Sequence, residues 1–221
     1  MTAAVLLTLQ LAAVTTVLLL ILAMPLAWWL ATTRNRLRPV IEAITALPLV
    51  LPPTVLGFYL LILMSPDAPL GAAWVRVTGS TLAFSFAGLV VASILYSLPF
   101  AVQPMQTAFQ SVDRQMTEAA ATLGATRADL FRSVVLPLSR RGVLTAAVLS
   151  FAHTIGEFGV VLMVGGNIPG RTRTVSIEVF TAVETLDWAV AHRLSLGLLV
   201  FSMIVLIGVY ALNRGGAGRL G

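Results

Sequence analysis

The sequence predicts an all-α integral membrane protein with about five transmembrane helices and a cytoplasmic helix pair between the third and fourth. Three observations lead there. Hydrophobic residues make up 58% of the 221-residue chain and charged residues 10%, against about 25% charged in ordinary soluble domains. That balance cannot coat a water-soluble surface. Second, residues 1–33, 43–66, 77–112 and 194–213 carry no Asp, Glu, Lys or Arg, and 142–170 carries only Glu157. Each run is long enough for the ~20 apolar helical residues that cross a hydrocarbon core of ~30 Å. Third, the polar stretch 113–137 carries the caps and the glycine of two short helices.

The apolar runs place spans at about 5–31, 41–64, 82–104, 142–165 and 194–213, in one domain covering 1–221. The first run lacks a basic leader and is far longer than the ~7–15 residues of a signal-peptide core, so it reads as a retained helix. All fourteen basic residues are arginine. Ten of them flank the spans on one side: Arg34, Arg36, Arg38, Arg114, Arg127, Arg132, Arg140, Arg141, Arg214 and Arg219. Four lie on the other side: Arg76, Arg171, Arg173 and Arg193. The positive-inside bias assigns the ten-arginine side to the cytoplasm. The N-terminus is then outside, the C-terminus inside, and 166–193 an extracytoplasmic segment with room for a re-entrant piece.

Composition also excludes chemistry. Without lysine the chain cannot form a Walker A loop, whose lysine reaches the nucleotide phosphates. Any ATP that drives this protein is bound by another chain. Without cysteine there are no disulfides, thiolate metal sites or cysteine nucleophiles. No nucleophile–base pair or metal-ligand set stands out, and neither a catalytic site nor a nucleic-acid partner is expected.

Pro25, Pro48, Pro52, Pro53, Pro99 and Pro104 fall inside the spans. Each removes a backbone donor and bends a helix, most of all the Pro52–Pro53 pair. In a bilayer, broken backbone is tolerated where it is buried in protein or lines a cavity. These prolines therefore read either as a bent pathway wall or as ordinary kinks, since membrane helices are proline-rich.

The segment from Asp113 reads DRQMTEAAATLGATRADLFRSVVLPLSR. Asp113 is a helix cap, and Met116 to Leu123 are mostly good helix formers. Gly124 supplies a left-handed stop. Thr126 with Asp129 three residues on is a capping-box variant. It opens a second helix that carries Leu130, Phe131, Val134 and Val135 and is expected to stop near Pro137. Alanines 119–121 offer a small-residue surface for close approach by a partner, and a helix seated in a groove is a common recognition mode. A merely interfacial helix would show larger apolar residues and a basic face.

This loop resembles the EAA motif of ABC importer permeases, written EAA, three residues, G, nine residues, I, one residue, LP. Glu118, Ala119, Ala120, Gly124, Leu136 and Pro137 match at that spacing, with Val134 in the isoleucine place. The resemblance implies a type I ABC importer permease fold. It further implies a helix pair that enters a cleft of the ATPase subunit, with Glu118, Ala119, Ala120, Gly124, Leu130, Phe131 and Pro137 as coupling residues. ATP and Mg would be held by that ATPase, and this chain would hold no cofactor. Two copies of the ATPase, a second copy of this chain and an extracytoplasmic oxyanion-binding protein are the partners implied. Five spans enclose little space, which independently favours a C2 homodimer with the pathway on its axis.

Two further stretches are similar to the molybdate, sulfate and tungstate group within that family: LPLVLPPTVLGFYLL at 47–61 and FAHTIGEFGVVLMVGGNIPGRTRTV at 151–175. The resemblance implies oxyanion import across the bacterial inner membrane, with molybdate foremost and sulfate, thiosulfate or tungstate as alternatives. His153 departs from the group, which often carries arginine there. A secondary carrier or channel would need internal repeats and its own coupling site; a membrane enzyme is a further class.

His153 and Glu157 are four residues apart and would share one face of a continuous helix. Ionisable residues inside a membrane are costly and mark functional sites by default. They read either as gate elements or as a His–Glu pair tying two helices. Pro52, Pro53, Phe158, Asn167 and Arg171 complete the candidate pathway set. Arg171 and Arg173 form a basic outer lip that steers anions, meets an acidic partner, or is simply solvated. Thr174 is the expected cap of a short helix running to Trp188.

Overall fold

The computed structural model describes residues 2–217, with side chains from 2 to 211. Arg219 and the side chain of Arg214, two of the arginines used for topology, lie outside the described residues. Among those residues every regular element is helical.

Three helices are individually long and apolar enough to cross a membrane: α1 (Thr2–Thr32), α5 (Phe86–Gln110) and the apolar part of α12 (Trp188–Ala217). The number rises to five if each of two bent helix pairs is one span. The first two helices and α9 (Arg140–Gly156) pack mutually and form the heart of the molecule. Their shared core alternates large and small residues: Leu19, Ala23, Ala27 and Leu30 of α1 meet Ala101, Val102 and Met105 of α5 and Ala146 of α9. In lipid, where exclusion from water no longer drives helices together, such small residues let backbones approach and supply dispersion contacts. A Cβ on Gly142 would stand 2.1 Å from the Cβ of Ala108, so α5 and α9 meet at a distance that only glycine allows.

The run 41–64 is not one helix. The helix α2 (Arg38–Ala46) and a 3-10 turn (Leu47–Leu49) meet α3 (Pro53–Met64) at 106°. The proline pair causes the break by position. Pro52 is extended at the N-cap, and Pro53 occupies the first helical turn, where a missing N–H costs nothing. The prolines therefore start a helix as much as they end one. Beyond α3, a helix the apolar runs did not signal, α4 (Pro69–Thr78), crosses to α5.

The run 142–165 is likewise broken. The helix α9 stops at Gly156, Glu157 is extended, and α10 (Gly159–Gly165) resumes against α3 and α5. A Cβ on Gly57 of α3 would reach the Met163 Cβ at 2.7 Å. After the loop that follows α10, α11 (Val175–Glu184) ends four residues before the expected Trp188. The last helix begins at that tryptophan rather than at 194. Asp187 explains the early start: its carboxylate accepts the Val190 N–H at 3.1 Å, capping α12.

Candidate functional site

Most of the candidate residues fall in two regions, a projecting helix pair and a groove at the helix breaks. The projecting pair consists of α6 (Arg114–Thr122), α7 (Arg127–Leu130), a π-helical turn (Phe131–Val135) and α8 (Leu136–Leu138). Its local chemistry follows the caps. Asp113 accepts the Gln115 N–H at 2.9 Å. Gly124 turns at φ 84°. Thr126 Oγ1 accepts the Asp129 N–H while the Asp129 carboxylate accepts the Thr126 N–H, each at 3.2 Å. The Thr126 hydroxyl and N–H hold the Asp129 carboxyl below its ordinary range.

Pro137 does not end the second helix, which runs on to Leu138. A proline inside an α-helix clashes with the carbonyl four residues back and leaves it without a donor. The π turn answers this by widening the helix, and the Leu136 N–H bonds to the Phe131 carbonyl five residues back. Such bulges absorb a residue the α-helical ladder cannot hold.

The pair has two distinct faces. Glu118, Ala119 and Gly124 are exposed, as are Met116 and Leu123, the latter with 89% of its surface free. Exposed Pro137 lies at the far end, and Ala120 is half-buried. Glu118 pairs with Arg114 at 2.6 Å on this face, an open i,i+4 contact of small energetic weight. Leu130 and Phe131 point the other way. They pack on the core cluster, where Phe131 meets Trp28 at 5.3 Å and Phe109 at 5.7 Å, and those two rings meet edge-on at 5.8 Å. Each such aromatic pair contributes about 0.5–1.5 kcal/mol beyond its buried area. The three rings clamp the loop to α1 and α5, and Leu130 and Phe131, both half-buried, pack against the bundle. Trp28 and Phe109 were not singled out in the sequence, because no local spacing links them.

The groove lies where α3 and α10 begin and α9 ends. It encloses about 490 Å³ and is lined by Pro53, Thr54, Tyr96, His153, Glu157 and Phe158 among others. Pro52 adjoins it at the head of α3. Because α9 stops at Gly156, His153 and Glu157 do not pair, contrary to the continuous-helix expectation. The His153 Nδ1 instead shares a hydrogen with the Ser97 hydroxyl at 2.9 Å. Its ring stacks on Phe100 at 4.0 Å and leans on Tyr96 at 4.9 Å. Glu157 is only 3% exposed, and neither carboxyl oxygen has a hydrogen-bond partner. Ser93, whose hydroxyl is also unpartnered, is the polar neighbour of that carboxyl. The main chain of Glu157 is held firmly, for its carbonyl accepts the Ser176 hydroxyl at 2.5 Å.

Asn167 and Arg171 are not in the groove. They belong to the loop between α10 and α11, which is built on the Ile168 carbonyl as it accepts the N–H groups of Arg171, Thr172 and Arg173. Asn167 takes a left-handed φ of 54°. Its amide oxygen accepts Arg173 Nε at 2.6 Å and its amide nitrogen donates to Thr181 at 3.3 Å. Arg173 also meets Glu178 at 3.6 Å. Arg173 is thus a structural tie and not a free cation of the outer lip, whereas Arg171 is exposed.

A bundle of broken and long apolar helices with a braced helix pair projecting from one end defines a membrane-embedded transport permease. Over residues 20–215 the chain matches the family described as "Binding-protein-dependent transport system inner membrane component", and it belongs to that family. It is 56% identical over 216 residues to the molybdenum transport system permease protein ModB of Azotobacter vinelandii, covering 98% of this chain and 96% of that one. It is 35% identical to the ModB of Escherichia coli K12, covering 87% and 86%. Among solved structures, the fold is shared with a bacterial alginate ABC transporter chain at TM-score 0.75 and 15% identity, covering 98% of this chain and 79% of that one. It is shared equally with the MetNI methionine ABC transporter in its inward-facing form, at TM-score 0.73 and 18% identity, covering 96% and 94%. The chain is therefore an ABC importer permease of type I fold, a multi-pass membrane subunit whose ATPase is a separate subunit.

Proposed function

We propose that this chain is the membrane-spanning subunit of an ATP-driven molybdate importer, assembled as a homodimer with two ATPase subunits and fed by an extracytoplasmic oxyanion-binding protein. The observation that carries the cargo is the 56% identity, over nearly the whole chain, to a permease named for molybdenum transport. The mechanical part rests on the two-faced helix pair. Met116, Glu118, Ala119, Leu123 and Gly124 form its outer face and would enter the ATPase cleft. Leu130 and Phe131 join it to α1 and α5 through Trp28 and Phe109. A pair braced in this way moves as a rigid body, and nucleotide-driven closure of the ATPases becomes rotation of the membrane helices.

The groove at Pro53, Tyr96, His153, Glu157 and Phe158 is the candidate wall of the pathway, with Pro52 and Pro53 setting its bend. Broken backbone in a membrane is tolerated where it is buried in protein or lines a cavity, and this break adjoins the groove. ATP and Mg belong to the ATPase, and this chain supplies positioning and a route. The ten-arginine side is cytoplasmic in this reading, with the N-terminus outside.

The test is co-reconstitution with the ATPase and binding protein encoded alongside it. Molybdate with the loaded binding protein is expected to stimulate ATP hydrolysis and to accumulate inside vesicles. Stimulation by sulfate at equal or lower concentration would reassign the cargo. The chain has no native cysteine, so a single cysteine at position 35 or 78 reports its side of the membrane directly.

A further inference from the structure

Two cavities not used above meet at the base of the helix pair. One is a pocket of 760 Å³ lined by Arg34, Arg38, Arg114 and Arg127, with Trp28 and Gln110. The other is a groove of 570 Å³ along the outside of α1, lined by Leu20, Ile21, Met24 and Pro25. Trp28 and Arg127 line both. The two cavities therefore adjoin across these two side chains, one apolar along the membrane helix and the other basic at the end of that helix. Two of the four arginines are already matched, Arg38 by Glu42 at 2.9 Å and Arg114 by Glu118 at 2.6 Å. Arg34 and Arg127 have no carboxylate within ion-pair distance among the described residues.

We infer that the two cavities together are a binding site for one anionic glycerophospholipid, its phosphate held by Arg34 and Arg127 and its acyl chains laid along α1. The physical case is complementarity at both ends. Leu20 and Ile21 belong to an apolar helix face that meets hydrocarbon in any bilayer. The indole of Trp28 is suited to the headgroup boundary. Basic pockets at the cytoplasmic ends of membrane helices attract anionic headgroups. A free phosphate would use the arginines and leave the apolar groove unfilled. An ATPase side chain would likewise leave that groove empty.

The site also touches the coupling device. Phe131 lines the groove and is one of the three rings that clamp the helix pair to α1 and α5. A lipid wedged between Trp28 and Arg127 stiffens that clamp, so the anionic lipid is expected to raise the efficiency of coupling as well as to bind. This rests on the reading of the helix pair as the cytoplasmic coupling element.

The experiment uses the intact permease–ATPase complex in nanodiscs, comparing phosphatidylglycerol with phosphatidylcholine and counting retained lipid by native mass spectrometry. Each arginine facing a headgroup is worth about fivefold in affinity, so the double variant Arg34→Gln/Arg127→Gln should retain phosphatidylglycerol about 25-fold more weakly. The control Arg36→Gln/Arg140→Gln removes the same charge outside the pocket and should retain it normally. Equal loss in the control would overturn the site, as would unchanged retention in the double variant. Displacement by millimolar inorganic phosphate would overturn it in favour of a free-anion site. Loss of the lipid when the ATPase is bound would overturn it in favour of a protein occupant. ATP hydrolysis stimulated by molybdate in phosphatidylcholine alone reads the proposed transport function separately.

Discussion

Thr8 and Val175 are 167 residues apart, yet the Thr8 hydroxyl oxygen accepts the Val175 N–H at 2.9 Å. The same hydroxyl donates to the Ala4 carbonyl at 2.8 Å. Val175 is the first residue of α11, and the preceding Thr174 makes no side-chain cap of its own. A threonine from α1 thus supplies the cap that the local sequence does not, fastening α11 to α1. Thr8→Val leaves a buried donor unpaired, at a cost of about 1–3 kcal/mol. The melting temperature of the purified protein should fall accordingly, and Thr8→Ser should restore it. An unchanged melting temperature for Thr8→Val would show the bond to be incidental.

Gly124 turns at φ 84°, and a Cβ there would meet nothing within 4 Å. Inside the chain, alanine costs only the left-handed backbone penalty of about 1–2 kcal/mol. Gly124→Trp adds bulk on the face proposed to enter the ATPase. The expected result is normal membrane insertion with loss of stimulated ATP hydrolysis, while Gly124→Ala retains most of it. Equal stimulation in both variants would remove Gly124 from the coupling set.

Glu157 presents a separate question, since its carboxyl is buried and unpartnered on both oxygens. Burying such a group is costly and marks either a functional role or a tolerated defect. Glu157→Gln keeps the shape and removes the titratable group. If the residue serves only to shape the break between α9 and α10, this variant should keep or raise the melting temperature and transport normally. A loss of transport at an unchanged melting temperature would assign the carboxyl a direct part in the pathway.

The capping box makes a pH prediction. Its hydrogen bonds lower the Asp129 carboxyl below the ordinary value. A group with a depressed folded-state value stabilises above its unfolded value, and that contribution is lost as pH falls through the folded one. The helix pair should therefore be fully capped at neutral pH and loosen only in acid below about pH 4, the ordinary aspartate range. Hydrogen exchange over residues 126–138 should be faster at pH 7 in Asp129→Asn than in the parent chain. Matching rates at pH 7 would show that the charge adds nothing.

The helix pair was the most legible part of the molecule. Asp113, Gly124 and the Thr126–Asp129 box act through bonds spanning two or three residues, so their geometry is written locally. The π turn was not legible, because the accommodation of Pro137 depends on a helix that the aromatic clamp holds in place. Leu130 and Phe131 are coupling residues by the resemblance, and their packing against Trp28 and Phe109, far away in sequence, could not be read from the motif.

By itself the sequence determined that this is a membrane protein with a capped helix pair between its apolar runs and no Walker A loop of its own. Transfer of apolar segments into hydrocarbon depends on composition, and a missing lysine is missing in any fold. Only the tertiary structure decided where the apolar runs break. Proline bends a helix from its interior and starts one from its first turn, and only the structure places Pro53 in the first turn of α3. The partners of distant polar groups were decided the same way: His153 bonds to Ser97, 56 residues away, and the main-chain carbonyl of Glu157 accepts the Ser176 hydroxyl. A hydrogen bond between distant residues leaves no periodicity in either one's neighbourhood.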